Sequence, residues 1–82
     1  MLKIAIIGTT SWGITLGLLL AKKELEVRLW ARTEREAAEL RSNGPNPARF
    51  PGIIFPPQMI ITSHLGKALD DVRAVILAVP SQ

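Results

Sequence analysis

The sequence contains no cysteine, a single histidine and four aromatic side chains in 82 residues. Without cysteine there is no disulfide, no thiolate metal site and no thiol nucleophile. The lone histidine, His64, stands apart from any acid or base arrangement and reads as a surface residue at a helix start. Long apolar runs are missing too. The longest, residues 14–21, is broken by Thr15 and Gly17 and falls far short of the roughly 20 residues needed to span a bilayer. Lys3 leads into a strand pattern and then glycine, which is not the form of a signal peptide. Net charge is only +3, and the ten basic residues are scattered rather than gathered into a stripe with aromatics between them, which argues against nucleic acid as a partner. The expectation is one small, cytoplasmic domain with no membrane and no metal. Such a short chain buries only about 60% of its unfolded surface.

What is present is concentrated near the start. Residues 4–7 form a continuous apolar run, as in a parallel strand covered on both faces. The run enters Gly8-Thr9-Thr10-Ser11-Trp12-Gly13 and a helical pattern over 12–23. A strand, a glycine-bracketed turn and a helix form the context of a dinucleotide-binding motif, with the pyrophosphate at the helix N-terminus. In that motif the first glycine makes the turn, the second bares backbone to the pyrophosphate, and the third lets helix and strand pack closely. Gly8 and Gly13 fill the first and third roles; Thr10 stands in the second. Either the Thr10 hydroxyl, with Thr9 and Ser11, donates to phosphate, or its Cβ pushes the cofactor outward.

The remaining pattern alternates strands and helices. The first helix is apolar nearly all round, which implies burial against more than one neighbour, and Gly17 suggests close approach to another element. A second strand covers 27–30. A helix over 34–41 is capped by Thr33 with Glu36 completing a capping box; its apolar stripe is Ala37, Ala38 and Leu40, and its charges form a solvated face. Residues 42–58 hold five of the six prolines, with Phe50, Ile53, Ile54 and Phe55 arguing for an ordered, packed connection. A third strand spans 59–62, Ser63 caps a brief helix to Leu69, and a fourth strand runs over 74–79. This is an α/β arrangement, β-α-β-α-β-α-β: a partial Rossmann-type, doubly wound parallel sheet of four strands and three crossover helices.

The phrases I-A-I-I-G-T-T-S-W-G at 4–13, V-R-L-W-A-R at 27–32, N-P-A-R-F-P-G at 46–52 and A-V-P-S at 78–81 closely resemble the N-terminal region of bacterial NAD(P)-dependent glycerol-3-phosphate dehydrogenase. The resemblance implies an oxidoreductase that interconverts dihydroxyacetone phosphate and sn-glycerol 3-phosphate for phospholipid synthesis. It implies that Ser11 and Trp12 contact the cofactor, that Gly8 and Gly13 shape the turn and that Arg32 and Thr33 lie beside the adenosine ribose. Arg49 and Phe50 would border the pocket, with Pro80 and Ser81 at the mouth of the fourth strand. The family's catalytic lysines and substrate domain lie beyond residue 82, so the chain itself is expected to lack turnover. Glu24 stands where the family has a helix-ending glycine, and a non-glycine residue in that left-handed position costs on the order of 1 kcal/mol.

Arg32 allows a separate inference. An acid about 20 residues past the motif binds the ribose 2′-hydroxyl of NAD, whereas arginine accommodates a 2′-phosphate. Ala31 and Arg32 stand there, so NADP is favoured over NAD; the bland alternative is an Arg32–Glu36 surface pair. Other reductases with the same front half (ketopantoate reductase or 3-hydroxyacyl dehydrogenase) and a non-enzymatic dinucleotide-sensing module are the competing readings. The open sheet edge at the fourth strand, or the proline-rich loop, is expected to support a homodimer.

Overall fold

The computed structural model describes residues 2–79. Seven elements follow in chain order: β1 (Lys3–Ile7), α1 (Ser11–Ala21), β2 (Glu26–Trp30), α2 (Glu34–Asn43), β3 (Met59–Thr62), α3 (Leu65–Leu69) and β4 (Ala74–Leu77). All strand pairs are parallel, in the order β3-β2-β1-β4. The chain winds outward through β1, β2 and β3, then crosses back to place β4 on the other side of β1. Reversal of direction between β1 and β4 creates the switch point outside whose carboxyl ends ligands bind in open α/β sheets.

Strand alternation divides the core in two. Ile6, Val27, Leu29 and Ile61 face α1 and α2 and meet Ile14, Ala21 and Ala37 there. Ala5 and Ile7 face the opposite side and pack with Ala68 of α3, Trp30 and Val72. Both faces of β1 are therefore covered, as its unbroken apolar run requires.

Helix α1 departs from expectation. Its inward face is made of Gly13, Ile14, Gly17 and Ala21, while Trp12 and Leu19 are exposed. Small residues let the helix axis close on the sheet, with Leu18 and Leu20 partly buried at the margins of that contact and Trp12 and Leu19 on the outside. A Cβ on Gly17 would lie 2.9 Å from Met59 Cε and 3.3 Å from Ile6 Cδ1, the close approach its presence suggested. The turn that follows the helix holds Glu24 in the left-handed region, at φ +63°, where the family has glycine.

Helix α2 keeps half of its expected cap. Thr33 Oγ1 accepts from the Glu36 amide at 3.1 Å, but the Glu36 carboxylate turns away to accept from Thr9. Ala37 is buried and Ala38 is exposed, because the stripe facing the sheet is a single residue wide at that turn. The charges of α2 are not merely solvated. Glu34 pairs with Arg41 and accepts from Ser63 Oγ at 2.7 Å, and Arg41 donates to Ile61 O at 2.8 Å, lacing the helix to β3. With its hydroxyl so engaged, Ser63 does not cap α3; His64 occupies the cap position without a side-chain bond.

The proline-rich connection is ordered by Asn46, whose side chain accepts from the Ala48 amide and whose carbonyl accepts from the amides of Arg49 and Phe50. Pro45 is fully buried, and Phe50 and Phe55 pack against the larger core; Ile53 and Ile54 stay exposed. Strand β4 is shorter than the apolar run over 74–79. The Ala78 amide still donates to Ile7 O, but the Ala78 carbonyl leaves the ladder to accept from Thr10.

Candidate functional site

The glycine-bracketed turn sits at the carboxyl end of β1, at the switch point. Gly8 has φ +125°, and a Cβ there would come within 2.4 Å of Ala78 O. Its amide donates to Trp30 O, so the turn is fixed to β2 as well as crowded by β4. Gly13 serves the packing role: an added Cβ would lie 2.7 Å from Ala78 Cβ and 3.2 Å from Gly8 O. These two positions perform the first and third tasks of a dinucleotide turn.

Thr10 follows neither course expected of it. Its Oγ1 accepts from the Gly13 amide at 3.1 Å as the N-cap of α1, and donates to Ala78 O at 2.9 Å. The side chain is folded onto the protein's own backbone, so its proton is not offered to a phosphate. The Thr9 proton is also committed, to Glu36 Oε2 at 2.8 Å. Of the three hydroxyls in the turn, that of Ser11 remains for a ligand. A helix leaves its first amides without intrahelical partners. Because Thr10 satisfies that of Gly13, an anion here would meet the amides of Ser11 and Trp12 and the positive end of the helix dipole.

A cavity of about 460 Å³ opens beside the turn. Gly8, Thr9 and Thr10 form its floor side, Trp30 and Arg32 its β2 side, and Glu36 and Val79 complete it. Trp30 is held by its indole, which donates to Ser63 O at 3.0 Å. Arg32 is exposed and, among the described residues, forms no ion pair with Glu36. Thr33, Arg32 and Glu36 also bound a shallower surface hollow alongside.

Several expected residues converge here and others do not. Gly8, Thr10 and Arg32 line the cavity; Ser11, Trp12 and Gly13 open the helix beside it. Arg49 and Phe50 do not line it: Arg49 is exposed on the proline-rich loop and Phe50 is turned into the core. Pro80 and Ser81 lie outside the described residues. Glu36 was missed as a cavity residue. Nothing in the sequence signals that its carboxylate meets Thr9, 27 positions away.

A second groove, of about 570 Å³, runs along the outer edge of β3 between α2 and α3. Its Arg28 pairs with Glu26 and donates to Lys67 O, and its Arg41 is tied to Glu34. Those cations are spent within the fold. Among the described residues no cluster of three or more acidic or histidine side chains is placed to hold a metal, and no helix is long and apolar enough to cross a membrane.

A parallel sheet of order 3-2-1-4, with a glycine-bracketed turn and a capped helix N-terminus at its switch point, is the arrangement of a Rossmann-type dinucleotide-binding unit. Residues 3–82 match the model of the family described as NAD-dependent glycerol-3-phosphate dehydrogenase N-terminus, and the chain belongs to that family. It is 51% identical over 84 residues to a glycerol-3-phosphate dehydrogenase [NAD(P)+] of Dehalococcoides mccartyi, covering the whole of this chain and 23% of that protein. It is 38% identical over 82 residues to the enzyme of the same name from Fusobacterium nucleatum, covering 24% of it. The crystal structure of glycerol-3-phosphate dehydrogenase from Coxiella burnetii superposes with a TM-score of 0.85 at 35% identity, over 96% of this chain and 24% of that one. The chain thus spans about a quarter of the length of these relatives. Membership of this family separates it from the ketopantoate and 3-hydroxyacyl reductases that share its front half.

Proposed function

We propose that this chain supplies the cofactor end of an enzyme that interconverts dihydroxyacetone phosphate and sn-glycerol 3-phosphate with NAD(P)H, feeding cytoplasmic glycerophospholipid synthesis. The observation that carries the cofactor reading is the turn itself: Gly8 at φ +125° under β4, with the N-terminus of α1 directed at a cavity whose wall carries Arg32. In this proposal the amides of Ser11 and Trp12 and the Ser11 hydroxyl take the pyrophosphate, and Arg32 and Thr33 border the adenosine ribose. Pro80 and Ser81 are assigned to the mouth of the fourth strand through the family resemblance alone. The cofactor supplies and accepts the hydride; the residues named here bind and orient it. The choice of dihydroxyacetone phosphate as partner substrate rests on the family.

Arg32 supports a preference for NADP, since a guanidinium at the end of β2 pairs with a 2′-phosphate. Calorimetric titration of the chain with NADPH and NADH, repeated on Arg32→Ala, tests this. The expected result is binding of both, with a loss confined largely to NADPH in the variant; equal losses for both would overturn the assignment of Arg32.

The open side of β4 supports association. Val75 and Leu77, in register with Ala5 and Ile7, expose apolar side chains on the sheet face next to that edge, and Val79 is exposed beyond them. We propose that two copies pair through this edge, which a two-fold axis would make an antiparallel contact. The exposed loop residues Ile53 and Ile54 are the other candidate surface. Sedimentation at low micromolar concentration should show a dimer that Val75→Lys abolishes and Ile54→Lys leaves intact. A monomer in the unaltered chain would sink the proposal.

A further inference from the structure

The cavity beside the glycine turn carries two opposite charges, and sequence reasoning credited only one of them. Arg32 comes from the end of β2 and Glu36 from the first turn of α2. The Glu36 carboxylate does not pair with Arg32 and does not close the capping box. It is drawn to the turn by Thr9, which donates to Oε2 at 2.8 Å. Because the Thr9 bond occupies Oε2, the second carboxylate oxygen keeps its accepting capacity at the cavity wall.

We infer that Glu36, held against the phosphate turn by Thr9, is the counterweight to Arg32 in choosing between the two dinucleotides. This rests on the proposal that the cavity takes the adenosine end of NAD(P). A carboxylate accepts from ribose hydroxyls, the interaction by which NAD is selected, and repels a 2′-phosphate carrying one to two negative charges. A guanidinium does the reverse. With both present, neither dinucleotide meets a site built for it alone, so the pocket admits both with a narrow margin. The position differs from the usual acid at the end of β2, which is here Ala31. The carboxylate reaches the same region from the following helix, and the Thr9 bond aims it.

Thr33 and the Glu36 side chain act separately at the start of α2. Thr33 caps α2 through the Glu36 amide, and that bond does not depend on the side chain at 36. Exchange of Glu36 for glutamine keeps an acceptor for Thr9, keeps the cap and removes only the charge. Removing one unit of repulsion a few ångströms from a phosphate, in a water-exposed site, is worth about fivefold in affinity. NADPH affinity should rise by that factor in Glu36→Gln, while NADH affinity holds or falls.

The experiment is calorimetric titration of the 82-residue chain, Glu36→Gln and Glu24→Gln with NADPH and with NADH at one ionic strength, with thermal melts to confirm that all three are folded. Glu24→Gln changes the net charge equally at the far end of α1 and serves as the control. A rise of at least threefold in the NADPH-to-NADH affinity ratio, in Glu36→Gln alone, supports the inference. Parallel changes for both dinucleotides, or an equal rise in Glu24→Gln, would overturn it while leaving the cofactor site standing. Absence of binding of either dinucleotide to the unaltered chain would take down the site assignment, and the role of Glu36 with it.

Discussion

Replacing Thr10 tests the account of the turn most directly. In Thr10→Ala two hydrogen bonds are lost together, from the Gly13 amide and to the Ala78 carbonyl. Loss of a threonine N-cap costs about 1 kcal/mol. The hydrogen bond to the part-buried carbonyl contributes about another 1 kcal/mol. The two share one oxygen, so the sum of about 2 kcal/mol is an upper figure. Against a total stability of roughly 4–12 kcal/mol for a domain of this length, that is a large loss. It corresponds to a fall in Tm of roughly 10 °C. Urea unfolding followed by circular dichroism measures it. Thr10→Ser keeps both bonds and should lie within about 0.5 kcal/mol of the unaltered chain, on the scale of ordinary surface changes. Thr10→Val keeps the shape and loses the bonds, so it should resemble Thr10→Ala. A Thr10→Ala chain as stable as the original, or a Thr10→Ser chain as weak as Thr10→Ala, would refute the reasoning. Cofactor titration adds a second reading. If the hydroxyl instead met phosphate, Thr10→Ala would lose about tenfold in affinity under conditions where it is still folded; an inward-facing hydroxyl predicts no such loss.

Four further outcomes follow from particular contacts. Glu24→Gly should raise stability by about 0.5–1 kcal/mol, because φ +63° strains a residue with a Cβ; Glu24→Ala should give no gain in the same thermal melt. Gly13→Ala should cost about 1–3 kcal/mol, since its Cβ would meet Ala78 Cβ at 2.7 Å and the Gly8 carbonyl at 3.2 Å. Gly17→Ala meets the flexible tip of Met59 instead and gains about 1 kcal/mol in helix propensity, so it should fall within about 1 kcal/mol of the original in the same unfolding assay. On the acid side, the Ser63 hydroxyl and then the Arg41 guanidinium hold the Glu34 carboxyl below its ordinary value of 4.5. The folded state binds that proton more weakly than the unfolded chain. Glu34 therefore contributes stability above about pH 4.5 that is lost as pH falls through its lowered value. Glu34→Gln should flatten that limb of the stability profile between neutral pH and pH 3, and an unchanged slope would count against the Ser63 contact.

Much of the fold was legible because it is written in local patterns. The apolar runs of β1 and β3, the break at Gly8, the Thr33 cap and the proline density at 44–57 each act within a few residues, and each appears where expected. The site was legible only in part. Gly8 and Gly13 follow from backbone geometry, which a sequence motif encodes. The fates of Thr9 and Thr10 depend on Glu36 and Ala78, 27 and 68 positions away. A hydroxyl's partner is a property of the assembled sheet and helices, so spacing along the chain carried no trace of it. Helix α1 failed differently. Its hydrophobic residues point every way, and Gly13, Gly17 and Ala21 join Ile14 on the most buried face while Leu18 and Leu20 are only partly buried beside it, because close helix–sheet packing needs small residues at the nearest approach. Amphipathic periodicity cannot rank glycine above leucine as a core residue.

The two edges of the sheet are not equivalent, and this bears on how the chain behaves in solution. On the β3 side, Arg41 donates to Ile61 O, Pro56 O accepts from the Met59 amide, and the Glu34–Arg41–Ser63 contacts run alongside. Charge and proline on an edge are the usual means of preventing strand addition. On the β4 side, Val75 and Leu77 lie in register with Ala5 and Ile7 and leave apolar side chains exposed on that face next to the edge, as does Val79, with no charge or proline among them. Any partner that covers this edge binds the folded form and not the unfolded one, so it stabilises by mass action. Self-association through β4 therefore predicts a melting temperature that rises with protein concentration. Val75→Lys should remove that dependence without lowering the melting temperature at the dilute limit, where the edge faces water in both chains. Lysine substituted for Ile60 on the guarded edge should leave the concentration dependence untouched. A melting temperature independent of concentration across the micromolar to millimolar range would show that the open edge of β4 does not act as a pairing surface.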